Sequence, residues 1–407
     1  MEEFYKIEIQ HICSNVCSGG TPKSTVPEYY GGNIPWLNTK EINFSSIYET
    51  EKTITEEGLN NSSAKWIPAN SVIVAMYGAT AGKTAITKIP LTTNQACCNL
   101  TIDSNMADYR FVYYALYNDY AYLASLANGG AQQNLNAQQI KEFEIPFPSL
   151  EEQKRIADIL SSLDSKIALN CRINDNLEQQ AQSLFKSWFV DFEPFRGGKF
   201  VDSELGMIPE GWNIQPISNI FNFQEGPGIR NWQYVNNGTK FINIRCINND
   251  IINIQNANMI SDEEAQGKYA HFMLKENDIV ISCSGTLGRK ALVLKEYLPL
   301  CLNTSVIRFT PRIKRQLGFL YGYLSSSLFL NKQIELASGS VQANFGPLHL
   351  KGMSIAIPDN NVLNQFSDIV NSIIQKKKNI ISESLRLTNL RDSILPKLMS
   401  GEIKINS

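Results

Sequence analysis

The sequence is poor in the residues that most often build metal and disulfide sites. It has three histidines in 407 residues, and none of them lies near another histidine or an acidic residue at a zinc-like spacing. Its eight cysteines are scattered, without the repeated spacing or density of a secreted disulfide scaffold. Cys13 and Cys17 could together bind a metal, but cysteines of this kind are more often small thiols buried in a core. We therefore expect no metal site and a location in the reducing cytoplasm.

Long apolar runs and an excess of either charge are also absent. No apolar run approaches the roughly 18 residues that a membrane-spanning helix needs. The net charge of -2 excludes a uniformly basic nucleic-acid binder. This average hides a difference, because residues 1–148 carry 9 Lys and Arg against 14 Asp and Glu, whereas residues 201–358 carry 14 against 12. Any DNA binding must therefore come from local placement of charge or need a partner.

Signatures of a catalytic centre are missing as well. The segment Gly78–Thr84 is similar to a phosphate-binding loop, but it has three residues between its glycines where the motif needs four. The corresponding segment Gly285–Lys290 also lacks the Lys-Ser/Thr ending, so that a tight turn between two strands, bearing a basic residue, fits both better. The Pro-Pro dipeptide of adenine methyltransferase loops and the Gly-x-Ser-x-Gly motif do not occur. The sequence indicates a recognition protein without a catalytic centre.

An internal repeat of about half the chain length is the most informative feature. Five segments recur in the same order, and their offset grows from 205 to 212 residues, as expected for a duplication with small loop changes. The corresponding positions are Asn38 and Asn243, Gly78 and Gly285, Asn94 and Asn303, Gly130 and Gly339, and Ile145-Pro146 and Ile357-Pro358. The chain is therefore predicted to contain two similar halves.

Each half begins with a lobe of about 150 residues that mixes strands and helices. Short apolar runs at residues 71–76 and 278–282 predict buried strands. Residues 109–126 and 317–336 predict helices within the lobes. We place lobe 1 at residues 1–148 and lobe 2 at residues 201–358.

A long amphipathic helix follows each lobe, in residues 149–200 and 359–407. Ser149 and Glu152 form a capping-box signature at the start of the first helix, and Pro194 and Pro396 are predicted to end the two helices. The seam of the first helix, at alternating spacings of four and three, consists of Ile156, Leu160, Leu163, Ile167, Asn170, Asn174, Leu177, Ala181, Leu184 and Trp188. The second seam has the apolar edge Phe366, Ile373, Ile380, Leu387 and Ile394 and the mixed edge Val370, Lys377, Ser384, Arg391 and Leu398.

Two matched helices favour pairing with each other over packing of each helix on its own lobe alone. About 40 residues at 1.5 Å per residue make each helix roughly 60 Å long, which suits a spacer. The polar seam positions are interpreted as residues that set the register of the pair. We therefore expect an α+β fold with two repeated lobes separated by a pair of long antiparallel coiled-coil helices.

The candidate binding residues are polar side chains in the repeated loops. In lobe 1 they are Lys23, Lys40, Thr80, Lys83, Gln132, Gln133 and Asn134. In lobe 2 they are Arg230, Asn243, Arg245, Thr286, Arg289, Lys290, Gln342 and Asn344. Arg and Lys suit guanine edges and phosphates, and Asn and Gln suit adenine edges. For any single residue a structural role in a turn is the simpler explanation, whereas the whole set indicates two similar readers with different targets.

Four segments together resemble the specificity subunit of Type I restriction-modification enzymes, over essentially the whole chain. These segments are Ile145–Ile156, Leu184–Phe195, Gly206–Trp212 and Leu395–Ile403. The second copy departs from the first, because Asn364-Gln365-Phe366 lacks the run Glu152-Gln153-Lys154-Arg155. The pseudo-symmetry of the two halves is therefore imperfect.

The resemblance implies a role in a bacterial or archaeal complex. Each lobe would be a target recognition domain that reads one half of a bipartite site in double-stranded DNA. The helices would set the spacing and dock two methyltransferase subunits. The methyltransferase subunits would use S-adenosylmethionine, and further motor-nuclease subunits would use ATP and Mg. This chain itself would bind no cofactor. The alternatives are a protein-only scaffold for two partners and, less favoured, a nucleotide-binding enzyme that uses Gly78–Thr84.

Overall fold

The computed structural model of the chain describes residues 4–127, 134–248, 250–337 and 344–405. The chain divides into two compact units. Unit 1 consists of Met1–Ile167 and Arg386–Ser407, and unit 2 consists of Ala168–Leu385. Each unit therefore combines one lobe with a part of each of two long helices.

Lobe 1 is built from short strands and short helices. Its strands are β1 (Lys6–Glu8), β2 (Cys13–Ser18), β3 (Tyr30–Leu37), β4 (Ser45–Ile47), β5 (Lys52–Ile54), β6 (Val72–Ala75), β7 (Thr84–Thr87), β8 (Thr92–Thr93), β9 (Cys97–Ile102) and β10 (Glu144–Pro146). Its helices are α1 (Glu56–Asn60), α2 (Tyr109–Asn118), α3 (Tyr120–Ser125) and α4 (Ala137–Lys141), and the long helix α5 (Leu150–Phe189) follows.

Lobe 2, with the segment that leads into it, has the same kinds of element. Its strands are β11 (Phe200–Val201), β12 (Ile208–Pro209), β13 (Asn213–Pro216), β14 (Phe221–Glu225), β15 (Tyr234–Val235), β16 (Thr239–Ile242), β17 (Ile247–Asn248), β18 (Ile251–Ile252), β19 (Asn258–Ile260), β20 (Ile279–Ser282), β21 (Lys290–Leu292), β22 (Leu300–Leu302), β23 (Val306–Pro311) and β24 (Ser354–Ile357). Its helices are α6 (Asp262–Gln266), α7 (Leu317–Ser325), α8 (Ser327–Ala337) and α9 (Pro347–Lys351), and the second long helix α10 (Asn360–Met399) follows.

The main sheets of the two lobes share the order of four strands, which confirms the internal repeat and the α+β fold. The main sheet has the order β2-β9-β6-β7-β4 in lobe 1 and β14-β23-β20-β21 in lobe 2. A smaller sheet contains a parallel pair in each lobe, β3 with β8 and β16 with β22. The predicted strands at residues 71–76 and 278–282 are the central strands β6 and β20, whose residues are all buried. The helix predicted at residues 109–126 is divided into α2 and α3, and the helix predicted at residues 317–336 is divided into α7 and α8.

The long helices pair antiparallel in each unit, and each also packs on the lobe of that unit. In unit 2 the side chain of Asn170 on α5 contacts Ser384 on α10, and Glu178 contacts Lys377. One hydrophobic core of unit 2 contains residues of both helices and of lobe 2. Phe185 and Phe189, which the seam spacing does not include, are buried in this core. The expectation that the helices pair is correct, but the lobes bury a second face of each helix.

Seam positions are buried to different degrees along the helices. Ile156, Leu160, Leu177, Phe366 and Ile373 are buried. The seam residues Leu163, Ile167, Leu184, Trp188, Ile380, Leu387 and Ile394 are half-buried. The seam is thus only partly shielded from solvent along the two helices.

Neither proline ends its helix, so that this prediction is wrong. Helix α5 ends at Phe189, five residues before Pro194, where the backbone N–H of Asp191 donates to the carbonyl of Lys186. Helix α10 continues through Pro396 to Met399. Leu398 and Met399 are buried in the core of unit 1, and this packing keeps the last turn helical although Pro396 has no N–H to donate.

Within these described ranges, none of the helices combines the length and the apolar character that crossing a membrane requires.

Candidate functional site

The repeated loops of lobe 1 come together beside the ends of β3, β8 and β9. The backbone N–H of Gly20 donates to the carbonyl of Thr93 at 2.8 Å, and that of Asn94 donates to Leu37 at 3.0 Å. The amide of Asn94 also bonds the side-chain oxygen of Asn38 at 3.3 Å, which precedes the turn Thr39–Glu41. This arrangement places the exposed Lys40 on a turn that adjoins the 93–97 loop.

The exposed Lys23 and Asn134 belong to segments that join the same loops. The hydroxyl of Thr21, two residues before Lys23, donates to the side chain of Gln95. Asn134 forms an isolated bridge with Tyr77, and the N–H of the neighbouring Met76 donates to the carbonyl of Ala96 in the 93–97 loop at 2.8 Å. The structure therefore connects the segments that carry Lys23, Lys40 and Asn134, whereas Gln132 and Gln133 lie outside the described residues.

The turn between β6 and β7 uses two of the candidate side chains for its own structure. The hydroxyl of Thr80 donates to the carbonyl of Tyr77 at 3.4 Å. The ammonium of Lys83 donates to the side-chain oxygen of Asn43 at 2.7 Å and lies 5.9 Å from the centre of the Phe44 ring. The turn joins two antiparallel strands and leads into β7, whereas a phosphate-binding loop leads into an α-helix, so that the interpretation as a strand-to-strand turn is confirmed.

Lobe 2 repeats this loop arrangement with other side chains. The N–H of Asn303 donates to the carbonyl of Ile242 at 3.1 Å, as Asn94 does to Leu37 in lobe 1. Asn344 forms a bridge with Ser284, as Asn134 does with Tyr77. The candidates Arg230, Arg245, Thr286 and Asn344 are all exposed, and Gln342 lies outside the described residues.

Three other candidates of lobe 2 have structural roles. The side chain of Asn243 accepts from the N–H of Arg245 at 2.9 Å and caps the turn that begins there. The guanidinium of Arg289 donates to the carbonyls of Ile244 and Ile247 at 3.2 and 3.3 Å. Lys290 is buried with 8% of its side chain exposed, so that we leave it out of the proposed DNA interface.

Lys290 belongs to a buried cluster that sequence reasoning missed. Its ammonium lies 2.6 Å from Asp250 and 3.1 Å from Glu178 on α5. Lys377 on α10 approaches the same carboxylates at 2.6 and 2.7 Å. The hydroxyl of Tyr321 on α7 donates to Glu178 and, at 3.0 Å, to Asp250. The only sign of this cluster in the sequence is Lys377, a charged residue at a seam position where an apolar residue is expected.

The cluster is neutral, because two carboxylates face two ammonium groups. Burial alone raises the pKa of Glu178, but Lys290 and Lys377 outweigh it and hold that pKa well below its ordinary value. Burial raises the pKa of Tyr321, and Asp250 and Glu178 raise it further. Glu178 is therefore ionised at neutral pH, and Tyr321 remains a hydrogen-bond donor.

Unit 1 has a smaller polar contact between the same helices. The guanidinium of Arg391 on α10 donates to Asp164 on α5 at 2.7 Å. The hydroxyl of Tyr114 on α2 donates to Asp164 at 2.7 Å, and Arg391 donates to the hydroxyl of Tyr117 at 3.1 Å. Arg391 was predicted as a seam residue, whereas Asp164 and the tyrosines were not singled out.

In the part of the chain that the structure describes, no group of three or more His, Cys, Asp or Glu side chains is placed to hold a metal ion. The thiols are predominantly buried, and burial raises the pKa of Cys13 and of Cys98 to about 12. These two thiols are therefore protonated and unreactive at neutral pH.

Comparison with known proteins identifies similar chains. A family model described as Type I restriction modification DNA specificity domain matches residues 1–179 and 209–385. The MjaIX specificity subunit of a Type I restriction enzyme from Methanocaldococcus jannaschii is 30% identical over 400 residues, covering 96% of this chain and 91% of that protein. The HindI specificity subunit from Haemophilus influenzae is 25% identical and covers 70% of this chain and 74% of that protein.

A solved structure has a similar fold. The S subunit of a Type I restriction-modification system from M. genitalium is 20% identical, with a TM-score of 0.56 and coverage of 97% of this chain and 96% of that chain. Both the sequence matches and this fold match extend over the two halves of the chain.

Proposed function

The chain belongs to the family of the Type I restriction modification DNA specificity domain, and on this premise we propose that it selects the DNA sequence for a Type I restriction-modification complex. Each lobe reads one half of a bipartite site in double-stranded DNA. The chain itself is not catalytic. It acts in the cytoplasm with two methyltransferase subunits, which use S-adenosylmethionine, and with motor-nuclease subunits, which use ATP and Mg.

The observation that supports this proposal most strongly is the repetition of one loop arrangement with different exposed side chains. In both lobes a parallel strand pair and a hairpin turn support the loops. Lobe 1 exposes Lys23, Lys40 and Asn134 on these loops, and lobe 2 exposes Arg230 and Arg245 with Thr286 and Asn344. Similar scaffolds with different polar side chains suit two readers of different base sequences.

The helices α5 and α10 serve as the spacer and as the docking site for the methyltransferase subunits in this proposal. Those subunits supply further phosphate contacts, which is why a lobe with an acidic balance can act on DNA. The division of labour leaves sequence choice to this chain and chemistry to its partners.

Selection of bound DNA from a random duplex library tests the proposal in vitro. We expect the chain with its methyltransferase subunits to enrich two short fixed segments separated by a gap of constant length and free sequence. A protein-only scaffold would enrich no sequence even with these subunits present, and this result would contradict the proposal.

Single substitutions in lobe 2 test the assignment of its loops. Arg245→Ala removes an exposed guanidinium and is expected to weaken binding by about tenfold or more while relaxing only one of the two fixed segments. Lys332→Ala is the control, because Lys332 is an exposed cation of the same lobe on α8 that pairs with Glu335 at 2.9 Å. Equal effects of the two substitutions would count against a base contact by Arg245.

A further inference from the structure

Both units connect their lobe to the helix pair through a half-buried carboxylate, a cation and a tyrosine. We name these contacts the unit 1 lock (Asp164, Arg391, Tyr114 and Tyr117) and the unit 2 lock (Glu178, Asp250, Lys290, Lys377 and Tyr321). In each lock the α5 side chain is the carboxylate, an α10 side chain is a cation, and a helix of the lobe contributes a tyrosine hydroxyl to the α5 carboxylate. The shared pattern indicates a shared role.

The positions of the locks follow the heptad repeat on both helices. Glu178 follows Asp164 by 14 residues on α5, and Arg391 follows Lys377 by 14 residues on α10. Fourteen residues are two heptads, so that both locks lie on the same face of each helix. Because the helices pair antiparallel, equal spacing on both is the condition for both ion pairs to form in one register.

Burial makes the contacts of the unit 2 lock selective for that register. The side chains of Lys377 and Lys290 are 4% and 8% exposed, and those of Glu178 and Asp250 are 16% and 15% exposed. A shift of one helix by a heptad would separate Lys377 from both carboxylates and leave buried charges without partners. Separating a buried pair in this way is strongly unfavourable, whereas an intact pair adds little net stability.

The unit 2 lock also connects three separate segments of lobe 2 to the two long helices. Lys290 begins strand β21, Asp250 lies between β17 and β18, and Tyr321 lies on α7. Asp250 has a φ of 62°, in the left-handed region that few non-glycine residues adopt, and its two ion pairs hold it there. Three segments of the lobe are thereby fixed to both helices at one point.

We propose that the two locks are positioning devices that fix each lobe on the helix pair and so determine the gap between the two half-sites. This inference rests on the proposed function, because it concerns the distance at which the lobes read DNA. Asp164, Glu178, Lys377 and Arg391 act through the placement of the lobes and touch neither DNA nor a reacting group.

The test is the distribution of gaps among DNA sites methylated by the complete complex. Lys377→Met leaves the unit 2 lock without one cation, and the expected result is unchanged half-site sequences with methylation at gaps one base pair longer or shorter rising about tenfold or more. The double variant Glu178→Gln with Lys377→Met keeps the lock neutral and folded, and it is expected to broaden the gap in the same way.

Unit 1 provides a rescue experiment. Asp164→Arg alone places two cations together and is expected to broaden the gap, whereas Asp164→Arg with Arg391→Asp restores the ion pair and the single gap. Arg315→Met is the matched control, because Arg315 pairs with Asp368 of α10 at 2.6 Å on the exposed surface of unit 2. This control is expected to keep the wild-type gap.

Two outcomes overturn the inference, and they are distinguishable. If the lock variants only lower the midpoint of urea unfolding and keep the wild-type gap, the locks are merely structural and the proposed function is unaffected. If the wild-type complex methylates no bipartite site at all, the proposed function itself is wrong and the inference fails with it.

Discussion

Insertion of one heptad after Asn170 and another after Lys377 will lengthen the gap between the half-sites and leave both half-site sequences unchanged. Each insertion lies between the two locks, on α5 between Asp164 and Glu178 and on α10 between Lys377 and Arg391. Seven residues keep the seam and the locks on their faces, because they make two helical turns.

The expected size of this change follows from helix geometry. Seven residues at 1.5 Å add about 10.5 Å to each helix, which corresponds to at most roughly three base pairs of DNA at 3.4 Å per step. The measurement is the gap in methylated sites mapped in genomic DNA that carries the lengthened chain instead of the wild type.

Insertion of a heptad into α5 alone is the control for this experiment. It destroys the equal spacing of the locks on the two helices, so that we expect loss of methylation at bipartite sites rather than a longer gap. A changed half-site sequence with an unchanged gap in the double insertion would contradict the roles assigned to the lobes and helices.

Gly226→Ala will disable lobe 2 as a reader and leave lobe 1 intact. An added Cβ at Gly226 would lie 2.4 Å from the carbonyl oxygen of Asn303, which is backbone and cannot give way. In the native loop the N–H of Gly226 donates to the carbonyl of Val306, and the carbonyl of Pro227 accepts from the N–H of Thr304. Relief of the overlap must therefore move this loop. We expect a loss of about 1–3 kcal/mol in the free energy of unfolding of unit 2.

Gly228→Ala is the matched control, since an added Cβ there would meet no atom within 4 Å. Urea unfolding and methylation of DNA with a mismatch in either half-site measure the two effects. We expect Gly226→Ala to abolish discrimination at one half-site only, and Gly228→Ala to behave as wild type. Equal behaviour of the two variants would show that the close approach at Gly226 does not position the loops.

The repeat and the main elements could be predicted because they depend on local patterns. Asn38 and Asn243 precede turns at equivalent places, and the apolar runs at residues 71–76 and 278–282 are the central strands. The 40-residue lengths of α5 and α10 followed from their heptad spacing. Local chemistry decides such features, and a single sequence displays it.

The environment of Lys290 could not be predicted, because its partners are distant in the chain. Glu178 is 112 residues away and Asp250 is 40 residues away, and only the fold brings them to one ammonium. The continuation of α10 past Pro396 depends likewise on burial of Leu398 and Met399 in a core whose other residues come mainly from lobe 1 and the start of α5. Tertiary packing here outweighs the local preference of proline.

Domain boundaries illustrate the same limit. Heptad spacing assigns each long helix to a segment of its own, residues 149–200 and 359–407, and this division stays a prediction. Contacts within the fold instead group Ala168–Leu385 into one unit that takes a part of both helices. Phe185 and Phe366 contact each other at 6.1 Å between ring centres and lie in one core with lobe 2, although they belong to different helices.

The most direct test of the central claim is a map of N6-methyladenine in the genome of a host with and without this chain. We expect methylation at one bipartite sequence with a constant gap, present with the chain and absent without it while the partner genes remain intact. Unchanged methylation at bipartite sites after removal of the chain would contradict the claim that this protein chooses the site.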